Sequence, residues 1–272
     1  MNATSFIDKL REAWQVRQSL VCVGLDPDLE RMPVQYSRDS DGIAAFCEDI
    51  VDATHDLVCA YKPQIAYFAA RGAEEALART IAYIHKRCPR VPVILDAKRG
   101  DIGSTAEQYA AEAFDRYGAD AVTVNPYLGG DSLQPFLRRA DRGVIILCRT
   151  SNEGAADFQD LASEGQPLFE RIAVQAASRW NTNGNCALVV GATWPAQLAR
   201  VRSLVDDMPL LVPGVGAQGG DVEQLVRAGR TAAGGLIVNS SRAILYASNG
   251  DDAPAAARAA TEALRVQINR YR

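Results

Sequence analysis

The chain has 272 residues, of which 48% are hydrophobic and 23% charged, so it contains enough apolar material for a sizeable buried core. Its 29 Lys and Arg against 33 Asp and Glu leave a net charge of −4, which excludes both a strongly basic nucleic-acid binder and a strongly acidic disordered chain. No apolar run approaches the roughly 18 residues of a membrane span, so we expect a protein that binds neither nucleic acid nor membranes.

The cysteines indicate a reducing compartment. All six are scattered singly, they form no Cys-x-x-Cys pair, and the chain is too long for a disulfide scaffold. The first 17 residues are interrupted by charged side chains and contain no apolar stretch, so no signal peptide is expected. We therefore predict mostly buried free thiols and a cytoplasmic protein. The cysteines are Cys22, Cys47, Cys59, Cys88, Cys148 and Cys186.

Eight short apolar runs recur along the chain, and most intervals between them fit a strand, a loop, a helix and a return loop. The runs are rich in β-branched residues and nearly continuous, which is typical of strands buried on both faces of a parallel sheet. They cover residues 20–25, 57–61, 91–95, 121–124, 143–147, 187–190, 209–212 and 235–238.

Amphipathic stretches lie between these runs. The first has Phe6, Leu10 and Trp14 on one helical face, and Ser5 and Asp8 before it are spaced as a capping box. Further helices are predicted at residues 73–86, 104–117, 167–180 and 254–271. Residues 149–165 are predicted as a long loop, with room for some helix, on the side where the strands end.

Eight strand–helix units favour an α/β fold, a (β/α)8 or TIM barrel that forms a single domain over residues 1–272. An open doubly wound sheet is the alternative, because the number of strands does not show whether the sheet closes. No linker rich in Pro, Gly or Ser divides the chain.

In a barrel, catalytic groups come from the carboxyl ends of the strands, and the densest charge there is Asp-Ala-Lys-Arg-Gly-Asp at residues 96–101. The period of two in a strand places Asp96 and Lys98 on one face, toward the barrel mouth. Lys62, at the end of the neighbouring strand, and Asp101 can join them in an alternating array. Such an array presents a protonated ammonium as general acid beside a carboxylate. An ion-pair network that only plugs the barrel top is the alternative.

A second signal is a glycine-rich segment after the seventh strand, with four glycines in residues 213–220. Glycines let backbone N–H groups approach a ligand closely. The eighth strand runs into Asn-Ser-Ser-Arg at residues 239–242, which opens a helix whose N-terminus favours an anion. Phosphate sites recur in these two loops of the fold, so we predict a phosphate bound by Gly216, Gln218 and Arg242. Two tight turns without a ligand are the alternative.

The sequence gives no sign of a metal or cofactor site. His55 and His85 lack a second His or a carboxylate at metal-binding spacing, so both are interpreted as surface or packed histidines. No P-loop lysine motif and no Gly-x-Ser-x-Gly motif is present.

Taken together, the strand-end motifs resemble the orotidine 5′-phosphate decarboxylase family, in its longer bacterial type. The resemblance covers about residues 20–245 and keeps the motifs in family order. Its Asp-x-Lys-x-x-Asp core alone is shared with sugar-phosphate decarboxylases and aldolases, whereas the serine loop and the phosphate loop narrow the assignment. The matching segments are residues 23–27, Lys62, and residues 96–105, 124–127, 150–155, 190–193, 213–220 and 239–242.

The resemblance implies decarboxylation of orotidine 5′-phosphate to UMP and carbon dioxide, the last step of de novo pyrimidine synthesis, without cofactor or metal. It makes Lys98 the general acid that protonates C6 and places Asp96 against the substrate carboxylate. Lys62 would orient Asp96 and touch the ribose.

The remaining family positions imply substrate contacts outside this charged core. Asp26 would bind a ribose hydroxyl and Ser151 the pyrimidine edge, while Gln218 and Arg242 would hold the phosphate. Residues 149–165 and 217–220 are the natural lids.

The resemblance also implies a homodimer with shared active sites, because the residues that match Asp101 and Thr105 act in the neighbouring subunit's site. No nucleic-acid or membrane partner is implied.

Two alternatives remain open. A metal-dependent sugar-phosphate decarboxylase or aldolase on the same barrel would use the same Asp and Lys residues with Mg²⁺, although it gives no reason for the serine loop. A non-catalytic binder of a phosphate ligand would bind UMP without turnover.

Overall fold

A computed structural model describes residues 4–215 and 221–272 of the chain. Its centre is a barrel of eight parallel strands whose side chains are largely buried. In chain order, the strands are β1 (Val21–Leu25), β2 (Ala60–Pro63), β3 (Ile94–Arg99), β4 (Ala121–Val124), β5 (Gly143–Arg149), β6 (Cys186–Val190), β7 (Leu210–Pro213) and β8 (Leu236–Ser240).

The barrel closes through its neighbours in sequence. From β3 to β8 each strand pairs in parallel with the next, β8 pairs with β1, and β1 pairs with β2. Isolated parallel bridges from Tyr61 to Val93 and from Gln64 to Asp96 join β2 to β3. The predicted TIM barrel is confirmed, and the open sheet is wrong because an open sheet would leave β2 and β3 as unpaired edges.

Helices surround the barrel, and α5 and α8 each continue into a π-helical turn, Glu112–Arg116 and Ala176–Trp180. In the two described stretches of chain, no helix is both long enough and apolar enough to cross a lipid bilayer. The helices are α1 (Phe6–Val16), α2 (Ser40–Thr54), α3 (Ile65–Ala69), α4 (Glu74–Arg87), α5 (Gly103–Ala111), α6 (Gly130–Leu137), α7 (Ala156–Gln159), α8 (Leu168–Gln175), α9 (Pro195–Val205), α10 (Val222–Gly229), α11 (Arg242–Leu245) and α12 (Ala253–Asn269).

Helix α1 covers the N-terminal end of the barrel. Its predicted cap is present, since the Ser5 hydroxyl accepts a hydrogen bond from the Asp8 backbone N–H at 3.2 Å. The apolar face of α1 packs Phe6 beside Gly143, at the start of β5, and Trp14 beside Gly234, just before β8. The carboxyl ends of the strands therefore form the barrel mouth.

The largest differences from the predicted positions are in β2 and β3, and β3 begins at Ile94 rather than at residue 91. Strand β2 begins three residues later than the apolar run at 57–61, because the Leu57 N–H still donates to the Thr54 carbonyl in the turn that ends α2. Strand β3 continues beyond Leu95 to Arg99, so its charged residues lie within the strand rather than after it.

The six cysteines are free and buried, which confirms the prediction. Burial raises the pKa of the thiols of Cys22, Cys47 and Cys186 to about 12. These thiols are therefore protonated and poorly reactive at neutral pH.

The segment at residues 149–165 contains short elements of secondary structure, which agrees with its prediction as a long loop with room for some helix. A 3₁₀ turn at Glu153–Ala155 leads into the single-turn helix α7. A short antiparallel ladder between Ala162–Ser163 and Gln166–Pro167 then returns the chain to α8.

Candidate active site

Three charged side chains meet at the barrel mouth. Lys62 donates from Nζ to Asp96 Oδ2 at 2.9 Å, and Lys98 donates from Nζ to Asp96 Oδ1 at 2.6 Å. Each oxygen of one carboxylate thus has an ammonium partner. The side chains of Lys62 and Asp96 are 5% and 10% exposed, whereas that of Lys98 is 47% exposed. The cluster is therefore not a sealed plug, because Lys98 remains open to a ligand.

The position of Lys98 depends on a local break in β3. Its backbone has φ +48°, in the left-handed region that costs a side chain about 1–2 kcal/mol, and the register with β4 shifts in this segment. Thr123 on β4 holds the break, because its Oγ1 accepts from the N–H groups of Ala97 (3.0 Å) and Lys98 (2.9 Å). The same hydroxyl donates to Asp96 Oδ1 at 2.9 Å. Asp96 and Lys98 thus share a face as predicted, but through this break rather than through the pleat alone.

The charges of the buried pair are fixed by mutual interaction. Burial alone would raise the pKa of Asp96, but the charges of Lys62 and Lys98 and the hydrogen bonds that both donate lower it well below its usual value. Burial alone would lower the pKa of Lys62, but the negative charges of Asp96 and Asp26 raise it above its usual value. Asp96 is therefore a carboxylate, and Lys62 an ammonium, throughout the neutral pH range.

We expect the Asp96–Lys62 pair to make a constant contribution to the free energy of unfolding from about pH 5 to about pH 9. The lowered pKa of Asp96 gives a contribution that is complete above the unfolded value of about 3.9 and is lost as the pH falls through the folded value. The raised pKa of Lys62 gives a contribution that is complete below the unfolded value of about 10.4 and is lost as the pH rises through the folded value.

Urea unfolding gives the free energy of unfolding of the wild type and of the double variant Lys62→Met/Asp96→Asn at each pH. The difference between these two free energies measures the contribution of the pair, because groups that titrate alike in both proteins cancel. Removing both charges together avoids leaving one of them buried without its partner. A difference that changes with pH between about pH 5 and about pH 9 would contradict the fixed charge state.

A cavity of about 190 Å³ lies at the mouth beside the charged cluster. Its lining includes Asp26, Lys62, Asp96, Asn239 and Arg242. The Oδ1 atoms of Asp26 and Asn239 are buried without a hydrogen-bond partner among the described residues. An unpaired buried acceptor costs about 1–3 kcal/mol, so these two oxygens point to a ligand that brings hydroxyl or N–H groups.

The loop after β1 is held in place by two contacts that position Asp26. Tyr246 donates from its hydroxyl to the Asp26 carbonyl at 2.8 Å and accepts from the Asp28 N–H at 2.6 Å. A Cβ atom at Gly24 would clash with Ser241 Oγ and lie 3.1 Å from Asn239 Oδ1, so glycine leaves room for these side chains where β1 approaches the end of β8.

Of the three residues predicted to bind the phosphate, Arg242 lies within the described part of the chain. Arg242 is exposed, lines the cavity and opens α11, as the sequence predicts. This helix has four residues, so its dipole is small and the positive charge rests on the Arg242 guanidinium. Gly216 and Gln218 lie outside the described residues.

The other predicted site residues lie around the cluster without joining it. Ser151 follows β5 and is half-buried against Gly191, where a Cβ atom would lie 2.9 Å from Ser151 N. Asp101 is half-buried and accepts from the Ile102 N–H at 2.8 Å, while Thr105 is exposed on α5. Within one chain, the described salt-bridge cluster consists of Lys62, Asp96 and Lys98, and Asp101 is not part of it.

Two residues of the site have no counterpart in the sequence analysis. Thr123 is the single polar residue of the apolar run at 121–124, and that exception is a signal that could have identified it. Tyr246 lies in no motif, and only its long-range hydrogen bonds to the loop after β1 reveal its role.

The structure also locates the two histidines. His85 lies on α4 with Nε2 3.0 Å from Asp120 Oδ2, next to the start of β4 at the opposite end of the barrel from the mouth. His55 ends α2. Within residues 4–215 and 221–272, no three His, Cys, Asp or Glu side chains are grouped as metal ligands.

Comparisons with known proteins agree with this geometry. Residues 19–259 match the family model described as "Orotidine 5'-phosphate decarboxylase / HUMPS family". The chain is 63% identical over 268 residues to the orotidine 5′-phosphate decarboxylase of Cellvibrio japonicus, which covers 97% of this chain and 98% of that protein.

Solved structures show the same similarity. The UMP synthase of Leishmania donovani matches with a TM-score of 0.86 and 41% identity, over 98% of this chain and 57% of that one. The OMP decarboxylase of the same organism matches with a TM-score of 0.84 and 39% identity, over 97% of this chain and 99% of that one.

Proposed function

The chain belongs to the orotidine 5′-phosphate decarboxylase family, and we propose that its barrel mouth converts orotidine 5′-phosphate into UMP and carbon dioxide, with Lys98 as the proton donor. The observation that carries this proposal is the Asp96 carboxylate held between two lysine ammonium groups, of which Lys98 is the exposed one and Lys62 the buried one. Equal amounts of UMP and carbon dioxide formed by the purified enzyme would support the reaction, and unchanged substrate would contradict it.

The chemical step needs one proton donor and produces one transient negative charge. The bond between C6 and the carboxylate breaks, carbon dioxide leaves, and the electron pair stays on C6. The Lys98 ammonium stabilises this charge and transfers its proton to C6, and water then restores the proton on Nζ. The cluster of two ammonium groups and one carboxylate has a net charge of +1, which favours the developing carbanion.

Asp96 has a second role in this proposal. Its carboxylate faces the substrate carboxylate and repels it. This repulsion raises the free energy of the bound substrate and is relieved as neutral carbon dioxide forms. The fixed ionisation of Asp96, held by Lys62, makes this repulsion available throughout the neutral pH range.

The remaining groups bind parts of the substrate away from C6. Asp26, whose Oδ1 has no partner among the described residues, accepts from a ribose hydroxyl, and Lys62 lies next to the same sugar. Ser151 contacts the pyrimidine edge. Arg242, together with Gly216 and Gln218, holds the phosphate, which lets binding energy remote from C6 lower the barrier at C6.

Arg242→Ala is expected to weaken UMP binding and to lower kcat/KM for orotidine 5′-phosphate by about 10²-fold, because a charge-assisted contact to the phosphate is lost. The matched measurement uses orotidine, which lacks the phosphate, and here the variant and the wild type should differ little. Equal losses on both substrates would mean that Arg242 is structural.

We also propose a homodimer in which Asp101 and Thr105 complete the partner's site. Both residues come shortly after the charged cluster in sequence, yet Asp101 forms no described ion pair with its lysines within one chain. The apolar side chain of Ile102 between them is 60% exposed, so it is accessible to a second subunit.

The cysteines bear on the cellular compartment of the enzyme. Six free, buried cysteines support a reducing compartment, and we propose the cytoplasm. The chain has a net charge of −4, which supports a small-molecule substrate rather than nucleic acid as its partner.

A further inference from the structure

The last residue of β5, Arg149, is a fully buried cation for which the proposed reaction has no use. Its side chain is 1% exposed. The guanidinium stacks over the ring of Trp194, with Cζ 4.7 Å from the ring centroid, and donates from Nη2 to Asp160 Oδ2 at 3.1 Å. Its Nε has no partner among the described residues. Burying a cation with an unpaired N–H donor is costly, and the Asp160 side chain is 41% exposed, so the arrangement points to function.

The contacts of Arg149 converge on the residue before Ser151. Its Nη1 donates to the Thr150 carbonyl at 3.1 Å. Gln159, next to Asp160, accepts from the Thr150 N–H at 2.8 Å and donates to the Thr150 hydroxyl at 2.9 Å. Both ends of the segment that contains Ser151 are therefore tied to the same guanidinium.

A second set of contacts fixes the other side of Ser151. The Gly191 N–H donates to the Arg149 carbonyl at 2.8 Å. Gly191 also packs directly on the backbone of Ser151, and it begins the loop that contains Trp194. Arg149 thus joins the ends of β5 and β6 and the start of the 149–165 segment into one unit around Ser151.

We infer that Arg149 is a positioning residue for Ser151: it fixes residues 150–160 so that the serine keeps its place against the pyrimidine. The inference rests on the proposed contact between Ser151 and the pyrimidine. Arg149 itself is buried beneath the segment and does not touch the substrate. A planar guanidinium suits this site, because it stacks on Trp194 while its Nη1 and Nη2 donate in a fixed geometry to Thr150 and Asp160, whereas a lysine ammonium is a point charge on a flexible chain.

The first test compares Arg149→Lys with Arg202→Lys. Arg202 serves as the control, because it is half-buried and donates to backbone carbonyls of Met208 (2.7 Å) and Gly235 (2.8 Å) at the N-terminal end of the barrel. We expect Arg149→Lys to lower kcat/KM for orotidine 5′-phosphate by about tenfold to a hundredfold and to leave the affinity for ribose 5-phosphate, which has no base, unchanged. Arg202→Lys should alter kcat/KM by no more than about twofold. Equal losses in the two variants, or no loss in Arg149→Lys, would overturn the inference.

The second test is a double-mutant cycle of Gln159→Ala with Ser151→Ala, which leaves the buried arginine in place. We expect Gln159→Ala to lower kcat/KM in the wild-type background and to have little further effect once Ser151 is absent.

The cycle distinguishes failure of the proposed pyrimidine contact from failure of the positioning role. If Ser151→Ala alone leaves kcat/KM unchanged, the proposed pyrimidine contact fails, and the inference fails with it. If Ser151→Ala is impaired but Gln159→Ala costs the same factor in both backgrounds, the pyrimidine contact stands and only the inference fails.

Discussion

Replacement of Lys98 by alanine is expected to lower kcat for orotidine 5′-phosphate by at least about 10⁴-fold. The variant loses the proton donor, which contributes about 10²- to 10⁴-fold, and it also loses the positive charge that stabilises the carbanion. No neighbouring group replaces it, since the Lys62 ammonium is buried on the other oxygen of Asp96.

Two measurements separate this loss from a damaged fold. Lys98→Ala should still bind UMP, because Arg242 and Asp26 are unchanged and Asp96 keeps Lys62 as a partner. Lys86→Ala, which removes an exposed lysine from α4, should keep wild-type turnover. Near-normal turnover by Lys98→Ala would remove Lys98 from the role of acid.

Mixing two inactive variants, Lys98→Ala and Asp101→Ala, is expected to restore about a quarter of the wild-type activity. In an equal mixture, random exchange makes half of the dimers mixed. If Asp101 completes the partner's site, each mixed dimer contains one site with both defects and one intact site. Half of the sites in half of the dimers are then active.

The matched control mixes Lys98→Ala with Lys62→Ala. These two residues meet at the same Asp96 within one chain, so every site in a mixed dimer lacks one of them and no activity should return. Absence of recovery with Asp101→Ala, with subunit exchange confirmed, would mean that each site is completed within its own chain.

The pattern of apolar runs predicts the barrel because parallel strands covered on both faces need continuous apolar residues. Charges at the ends of such strands then stand out, which is how Asp96, Lys98 and Lys62 were identified. Strand counting could not show closure, since that depends on the two bridges between β2 and β3.

Contacts between residues distant in sequence account for what the sequence did not predict. The left-handed backbone of Lys98 depends on a hydroxyl on the next strand, that of Thr123. Tyr246 reaches the loop after β1 across more than two hundred residues. Periodicity records which face a side chain takes, but not which distant partner it meets.

Simple assays distinguish the two alternatives that the sequence leaves open. A metal-dependent sugar-phosphate enzyme on the same barrel would lose its activity when a chelator removes Mg²⁺. A non-catalytic binder would bind UMP and leave orotidine 5′-phosphate intact. Both fit the relatives poorly, since two relatives that are 63% identical to this chain are named orotidine 5′-phosphate decarboxylase.

The most direct test follows the ultraviolet absorbance of orotidine 5′-phosphate with the purified protein, with and without excess EDTA. We expect the orotate absorption to disappear at the same rate in both samples. An absorbance that stays constant, with folded protein that still binds UMP, would contradict the decarboxylase assignment, and a loss that EDTA prevents would contradict catalysis by the lysine–aspartate cluster alone.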